Sequence, residues 1–592
     1  MQWDEIKTRE DFATFIGVPY KYLTYLLYNQ RIENLYIAFE IPKKSGGVRI
    51  INSPEDRLKK VLKKIMRKLE ERMVFLEQEG KISSKVAHGF IKSKNIITNA
   101  SSHRNRKIVL NVDIENFFPS FHFGRVKGFF EKNKYFKVPK EVAVFIAQLT
   151  CYNGSLPQGS SCSPIITNLI CQILDFRIIE LAQKYNLKYT RYADDMTFST
   201  NDMQFVDTYI RFVEELGDLL TRSGFSLNDE KTHIQFQREK QTVTGLTVNK
   251  KVNVSRHFYK NTRAMVNTLY KKGEFMIDGE RGTINQLFGR FNFIDQLVKY
   301  NNRIEREAII RNDYVNQQKN LIKSVPDAEN KFDYLKKLSA REREYRKFLY
   351  YYYFFSSTVP VIVTEGKTDS RYIKAALKNL YRRYPKLIER DEKGKFVFKI
   401  KFLRRTALLK YYFRFFEDGA DAMKNLSNCW FGKTDEKLFP NYSELFKEIT
   451  NRKALKPVIF LFDNELKNNK KPIRNFINHV SNNTIHDNKT IENEIRENNI
   501  FNVIDNLYLL THPSETEDEE IEDLFDDPTL DYRIAGKVFT KESKFDVDKY
   551  YGKNDFSNYI LQNYSQINFK NFTPLLDNLN KIVDVYEAKY KS

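Results

Sequence analysis

Residues 188–200, KYTRYADDMTFST, are strand-like text on both sides of Ala193-Asp194-Asp195. They read as a hairpin with two adjacent carboxylates at its tip. Upstream, KIVLNVD at 107–113 alternates and ends in Asp113, followed by the turn-and-helix text IENFFPSF. Three carboxylates at the ends of neighbouring strands can hold two Mg²⁺ ions, which stabilise both the attacking and the leaving oxygen of an in-line phosphoryl displacement. The competing reading of the Asp pair alone is an Asx-type turn or a solvated loop.

Length and charge bound the rest. At 592 residues, 41% of them hydrophobic, the chain predicts two to four domains. A net charge of +22 points to a polyanionic partner. Four cysteines without a CxxC pair support neither a disulfide framework nor a zinc ribbon. MQWDEIKTRE lacks the apolar core of a signal peptide, and the apolar run at 348–363 is short and broken by Pro360, so a cytoplasmic protein without a membrane span is expected. In RLKKVLKKIMRKL at 57–69, Leu58, Val61, Leu62, Ile65, Met66 and Leu69 share one helical face. Its basic faces suit solvent or phosphate equally.

From Val359 the text changes to strand, turn, helix: VPVIVTEGKTD, then SRYIKAALKNL, then a second strand, PVIFLFDNE. Such alternation predicts a parallel sheet with helices on its faces. Glu365 closes one strand and Asp463 another, and ligands gather at the carboxyl ends of strands in such sheets. A helix cap at EGKTD and a surface turn at DNE are the alternatives. The acidic run from Glu515 to Asp527 reads as a solvated loop, with Glu519 and Glu522 as its candidates for a metal ligand.

LPQGSSCSPIITNLICQILD at 156–175 lies between Asp113 and YADD. This order of an Asp strand, LPQG and YxDD resembles the reverse transcriptases over residues 15–320. Within that superfamily ITNASSH at 97–103 and VTGLTV at 243–248 resemble the NAxxH and VTG elements of the retron enzymes. The resemblance implies a right-hand polymerase of fingers, palm and thumb. It also implies a structured non-coding RNA as template, priming from a 2′-hydroxyl, dNTPs as substrates and a branched RNA–DNA product. By matching, Asp113, Asp194 and Asp195 bind Mg²⁺. Phe118 lies under the incoming sugar, a plain core position beside Phe117 and Phe121 being the alternative. Gln158 and Gly159 line the nucleotide pocket, and Lys44 and Arg49 clamp the triphosphate, solvated hairpin charges being the alternative. Asn99, His103, Val243, Thr244 and Gly245 are the nucleic-acid-binding candidates, a structural role for His103 being the alternative.

Glu365-Gly366 and Asp369, followed about a hundred residues later by DNE, resemble the Toprim fold of topoisomerases, primases and the overcoming-lysogenisation-defect nucleases. There a Glu acts as acid or base and a DxD pair holds Mg²⁺. Glu465 stands where that pattern has its second Asp. Glu365, Asp463 and Glu465 become the expected catalytic and metal-binding set, with Asp369 and Lys553 as further candidates. The expected class is therefore an α+β multidomain protein: a polymerase over 1–320, a helical connector over 321–357 and an α/β Toprim nuclease domain with a parallel sheet over 358–592. Retron enzymes fused to Toprim domains imply an antiphage system in which the nucleic-acid product restrains the nuclease, whose own nucleic-acid target is open. A homo-oligomer is compatible with this. The alternatives are a C-terminal domain that docks nucleic acid without cutting it, and an intron-maturase-like enzyme.

Overall fold

The computed structural model describes residues 2–42, 46–318, 338–414, 420–432, 440–542 and 544–591. Lys44 and most of the first half of the expected connector lie outside the described residues. Contacts divide the chain into two compact units: Met1–Tyr259 with Gln296–Glu307, and Lys260–Asp295 with Ala308–Ser592.

The first unit carries an antiparallel ribbon of β1 (Tyr36–Pro42) and β2 (Val48–Pro54), with Ile41 opposite Arg49. Its central sheet comprises β3 (Ile108–Glu115), β4 (Lys188–Tyr192), β5 (Asp195–Thr200) and β6 (Ser226–Phe236) in the order β4-β5-β3-β6, antiparallel throughout. The helix Ser163–Lys184 is apolar on most of its faces and sits in the core, burying Ile165, Ile166, Leu169, Leu174 and Ile178. The basic helix Asp56–Gln78 is amphipathic and buries Leu58, Val61, Leu62, Ile65 and Leu69, each such side chain stabilising the fold by roughly 1.5–3 kcal/mol. A hairpin of β7 (Thr242–Val243) and β8 (Leu246–Thr247) turns through Thr244 and Gly245, whose φ values of 45° and 79° suit a two-residue loop.

In the second unit a small ribbon, β9 (Met276–Ile277) with β10 (Glu280–Arg281), precedes the main sheet. In chain order follow β11 (Val361–Thr364), the hairpin β12 (Ile388–Arg390) and β13 (Phe396–Phe398), β14 (Lys401–Phe402), β15 (Val458–Phe462), β16 (Ile500–Ile504) and β17 (Leu507–Thr511). The five-stranded order is β14-β11-β15-β17-β16; the first four run parallel and β16 is an antiparallel edge. Both β11 and β15 are buried along their whole length, as continuous apolar strands between helical layers must be.

Residues 260–295, which the sequence reading assigns to the first domain, pack elsewhere. Val266, Leu269, Tyr270, Leu287 and Phe291 share one apolar cluster with Tyr345, Phe348 and Val361. The aromatic run that follows the helix Ala340–Tyr350 supplies the surface they bury against. Among the described residues no helix is long and apolar enough to cross a membrane.

Candidate active sites

In the first unit, register does the positioning. β3 and β5 pair Asp113 with Asp195, and the amide of Ile114 donates to the carbonyl of Asp194 at 3.1 Å. β6 flanks β3 on its other side, and Lys231 Nζ donates to Asp113 Oδ2 at 2.9 Å. That bond raises the lysine's pKa above its ordinary value and keeps it an ammonium. Asp195, the first residue of β5, is exposed, while the neighbouring chain partly shields its carboxyl. This partial desolvation, with Asp194 and Asp113 beside it, lifts it to about 7. Asp194 is raised as well, by burial and by Asp113, while Lys231 and Arg49 act in the opposite sense.

The turn holding the two acids is itself held. Ala193 has φ 58°, which costs a non-glycine residue roughly 1–2 kcal/mol. Arg191, 1% exposed, donates from Nη1 to the Ala193 carbonyl at 3.1 Å. Its Nε and Nη2 grip the buried Asp175 carboxylate at 2.8 and 2.7 Å, and Nη2 also reaches Asn168 Oδ1 at 3.3 Å. From the opposite direction Gly89 presses on the turn: a Cβ there would stand 2.7 Å from the Ala193 nitrogen. Sequence reasoning missed Arg191, Asp175 and Lys231, because a lone charged residue beside a strand carries no signal of what it faces.

The LPQG loop is locked to the β1–β2 ribbon. The amide of Asn52 donates to the Gln158 carbonyl at 2.7 Å. Gly159 has φ 119°, and a Cβ on it would come within 2.6 Å of the Asn52 carbonyl, so only glycine allows this approach. The same β2 strand carries Arg49, whose charge is felt at Asp194. Phe118 is partly buried and meets Phe117 and Phe90 edge-on at 5.5 and 6.5 Å.

The NAxxH residues lie inside the first unit. Asn99 and His103 are fully buried. His103 bonds Ser199 Oγ and Thr190 Oγ1, each at 2.7 Å, and Thr190 Oγ1 donates to Asn99 Oδ1 at 2.6 Å. Burial drives the imidazole down to about 3, so it is neutral. These bonds tie the two residues to β4 and β5, which is the structural role open to His103 from its sequence. Val243 is buried too; Thr244 donates to the Ile96 carbonyl at 3.3 Å, and Gly245 is exposed at the tip of its hairpin.

In the second unit the acids arrive from separate segments. β11 and β15 are adjacent and parallel, with Thr364 opposite Leu461, so Glu365 and Asp463 leave neighbouring strand ends. Gly366 N donates to Asp369 Oδ2 at 2.7 Å, and a Cβ on Gly366 would strike Asp369 Oδ1 at 2.6 Å. Burial lifts Glu365 to about 7, with Asp369 and Glu465 adding to it. Burial likewise raises Asp463 well above the ordinary range, reinforced by Asp369, Glu365 and Glu522. Glu465 is buried and paired with Lys471. Arg405 Nη2 donates to the carbonyls of Thr364 and Glu365 at 2.9 and 2.5 Å, fixing the strand end.

The acidic run differs from a solvated loop. Glu522 is 1% exposed, accepts from Tyr372 Oη at 3.2 Å and from Lys553 Nζ at 3.2 Å, and contributes to the charge felt at Asp463. Glu519 instead bridges backbones: its carbonyl accepts from the amide of Asn464 at 3.1 Å. Lys553, expected at a scissile phosphate, is held between Glu520 and Glu522 at 3.1 and 3.2 Å.

Among the described residues no three His, Cys, Asp or Glu side chains close around one point. Lysines bond some of the carboxylates: Lys231 bonds Asp113 in the first cluster, and Lys471 and Lys553 bond Glu465 and Glu522 in the second. The donor chemistry nevertheless fits a hard divalent cation: all ligand atoms are carboxylate oxygens, their crowding disfavours ionisation without a counter-charge, and Glu365 Oε2 is buried without a hydrogen-bond partner.

The sequence profile described as "Reverse transcriptase (RNA-dependent DNA polymerase)" matches residues 41–248, within the first unit. The Retron Mx65 reverse transcriptase of Myxococcus xanthus is 33% identical over 281 residues, 44% of this chain and 62% of that protein. The Retron Mx162 reverse transcriptase of the same organism is 31% identical over 320 residues, 49% of this chain and 64% of that protein. This chain thus spans under two thirds of the length of those two relatives. The Retron Ec86 reverse transcriptase of Escherichia coli is 32% identical over 253 residues, 42% of this chain and 75% of that protein. A shared sequence of that extent, carried on a sheet that pairs Asp113 with Asp195, means that the chain belongs to the retron reverse transcriptase family.

Proposed function

We propose that the first unit is an RNA-directed DNA polymerase that copies a structured RNA into a branched RNA–DNA molecule, and that the second is a Toprim-type, metal-dependent nuclease. The observation that carries the polymerase reading is the register of Asp113 against Asp195, with Asp194 in the same turn. Mg²⁺ bound to these carboxylates supplies the charge that activates the primer hydroxyl and offsets the leaving pyrophosphate. The chain's own residues do the rest. Arg49 offers its fork to the triphosphate, Lys231 holds Asp113 in place, and Arg191 fixes the turn that presents Asp194 and Asp195. Phe118 lies beneath the sugar and excludes a 2′-hydroxyl. Phe118→Val should therefore raise ribonucleotide incorporation relative to deoxyribonucleotide by about tenfold, roughly 1.4 kcal/mol of discrimination. Unchanged discrimination in a variant that still polymerises would assign the ring to the core alone.

The nuclease reading rests on Glu365 and Asp463 at adjacent ends of a parallel sheet, with Glu365 Oε2 unpartnered. Glu365, raised to about 7, can hold or release a proton near neutral pH, while Asp463 and Glu465 suit Mg²⁺. In the antiphage setting implied by the retron resemblance, the product of the first activity restrains the second. Removing that product in cells should arrest growth of the parent and spare Glu365→Gln and Asp463→Asn, both still making normal DNA. Growth arrest that persists in those variants would favour a docking role for the second unit.

A further inference from the structure

The helix Asp369–Asn379 begins at the carboxylate cluster, with Asp369 as its first residue. Lys374 and Lys378 lie one turn apart on it, about 7 and 13 Å along the axis from Asp369. Arg404, on the loop after β14, is near enough to Lys374 to depress its pKa together with Lys378 and Arg371, after burial itself. Arg404 also adjoins Arg405, which grips the Glu365 carbonyl, so this charged surface is continuous with the acidic site. None of Lys374, Lys378, Arg390 and Arg404 has a carboxylate partner among the described residues. The cations around them do: Arg383 pairs with Asp577, Lys386 with Asp584 and Lys399 with Glu389.

Aromatic rings underlie the unpaired cations. Lys374 Nζ sits 4.9 Å from the Phe402 centroid and Lys378 Nζ 5.1 Å from that of Tyr564. Arg390, on the β12–β13 hairpin, lies 4.6 Å from Tyr381 and 4.5 Å from Phe396. Such contacts hold a cation in place without neutralising it. Arg390 is exposed beside these two rings, where an unpaired base can meet the guanidinium.

We infer that this face of the second unit, from Lys374, Lys378 and Arg404 to the Arg390 platform, is a track for a single strand of nucleic acid leading to the Glu365–Asp463 cluster. Two cations one turn apart on a helix, with Arg404 beside them and an exposed guanidinium among aromatic rings, fit one backbone with unstacked bases. The direction of the track rests on the nuclease reading; the binding does not, and the test separates them.

The test uses the full chain carrying Glu365→Gln, in EDTA, irradiated with a 5-iodouracil-substituted single-stranded oligonucleotide, and the cross-linked peptides are identified. Cross-links are expected within residues 371–404. Combining Lys374→Gln, Lys378→Gln and Arg404→Gln should lower the slope of log yield against log salt at those peptides by about 2, as the loss of three phosphate contacts on a single strand requires. Cross-links to residues 1–259 should not change. Restoring charge with Lys374→Arg and Lys378→Arg should recover most of the yield, which a folding defect would not allow. Absence of cross-links within 371–404, an unchanged slope in the triple variant, or equal cross-linking of a fully paired duplex would overturn the inference. Because cleavage is disabled throughout, failure of the nuclease reading alone would leave these results intact.

Discussion

The two acidic clusters gather their carboxylates by opposite routes. In the first unit the acids come from antiparallel neighbours, and one hairpin supplies two of the three. In the second they leave parallel strands, a helix start and a distant loop, so Glu365, Asp369, Asp463 and Glu522 are brought together only by the sheet and its crossovers. Antiparallel pairing allows a contiguous segment to build most of a site, whereas parallel pairing needs a crossover between every pair of strands. The first site therefore depends on the geometry of one turn. The second depends on compensating a larger buried charge.

The largest effect expected from that contrast is its cleanest separation. Asp194→Asn with Asp195→Asn keeps the size of the hairpin tip and removes both charges, so DNA synthesis should fall by about 10³-fold or more, roughly 4 kcal/mol of barrier. Thermal unfolding should be little changed and any cleavage by the second unit retained. A double variant that still accumulates branched DNA would break the assignment. The reciprocal substitution, Asp463→Asn, should lower cleavage by about 10²-fold or more while DNA synthesis stays within twofold of the parent. Loss of both activities together would mean that the two clusters are not independent.

The contrast also explains what could be read from the sequence. KYTRYADD, KIVLNVD and LPQG sit on elements whose partners are near in pattern or fixed by order, and β3, β4 and β5 form where the text alternates. The strands VIVT and VIFLF were legible because continuous apolar runs ending in an acid fit a buried parallel sheet. Glu522 was legible only as one of two candidates in a run read as solvated, because its neighbours Glu519, Glu520 and Asp523 look like a solvated loop. Only the turn at 521–524, which buries Ile521 and Leu524, draws Glu522 inward. His103 was ambiguous: its motif allows recognition or a structural role, and hydroxyls on β4 and β5 take both its nitrogens. That residues 260–295 pack with the second unit was not legible, because the aromatic surface that captures Tyr270 and Phe291 lies beyond residue 320 in the chain.

If turn geometry governs the first site, a residue that touches no substrate should still control its rate. Arg191→Lys cannot hold Asp175 bidentately and reach the Ala193 carbonyl at once. Turnover should fall by roughly 10–100-fold with the KM for dNTP unchanged, since Arg49 and the LPQG loop are undisturbed. The buried Asp175 would lose part of its partner, so a second variant guards against a folding defect. Gly89→Ala adds a methyl that meets the Ala193 nitrogen at 2.7 Å and leaves the Arg191–Asp175 pair whole. It should lower turnover in the same manner. A rise in KM, with turnover preserved in both variants, would show that the turn is not what these residues control.

Charge compensation gives the smallest effect, and it is expected in the second site. Glu365 is raised from 4.5 to about 7 in the fold, so its ionisation is disfavoured there relative to the unfolded chain. Between those values the folded state holds the proton more tightly, and stability falls as pH rises through the window and stays lower above it. Glu365→Gln removes the penalty. In EDTA at pH 8 the variant should be more stable than the parent by on the order of 1–3 kcal/mol, and near pH 4 the difference should vanish. Mg²⁺ should close the gap at pH 8 by binding the folded parent selectively. Two compact units can unfold separately, so the readout must be local: hydrogen exchange of the β11 and β15 amides, with β3 and β5 as internal controls. Asp195→Asn should protect β5 in the same direction but less, because Asp195 is exposed and solvent screens its charge. Equal protection by the two substitutions would mean that the clusters carry the same buried charge, and the distinction between a site governed by its turn and one governed by its counter-ions would fall.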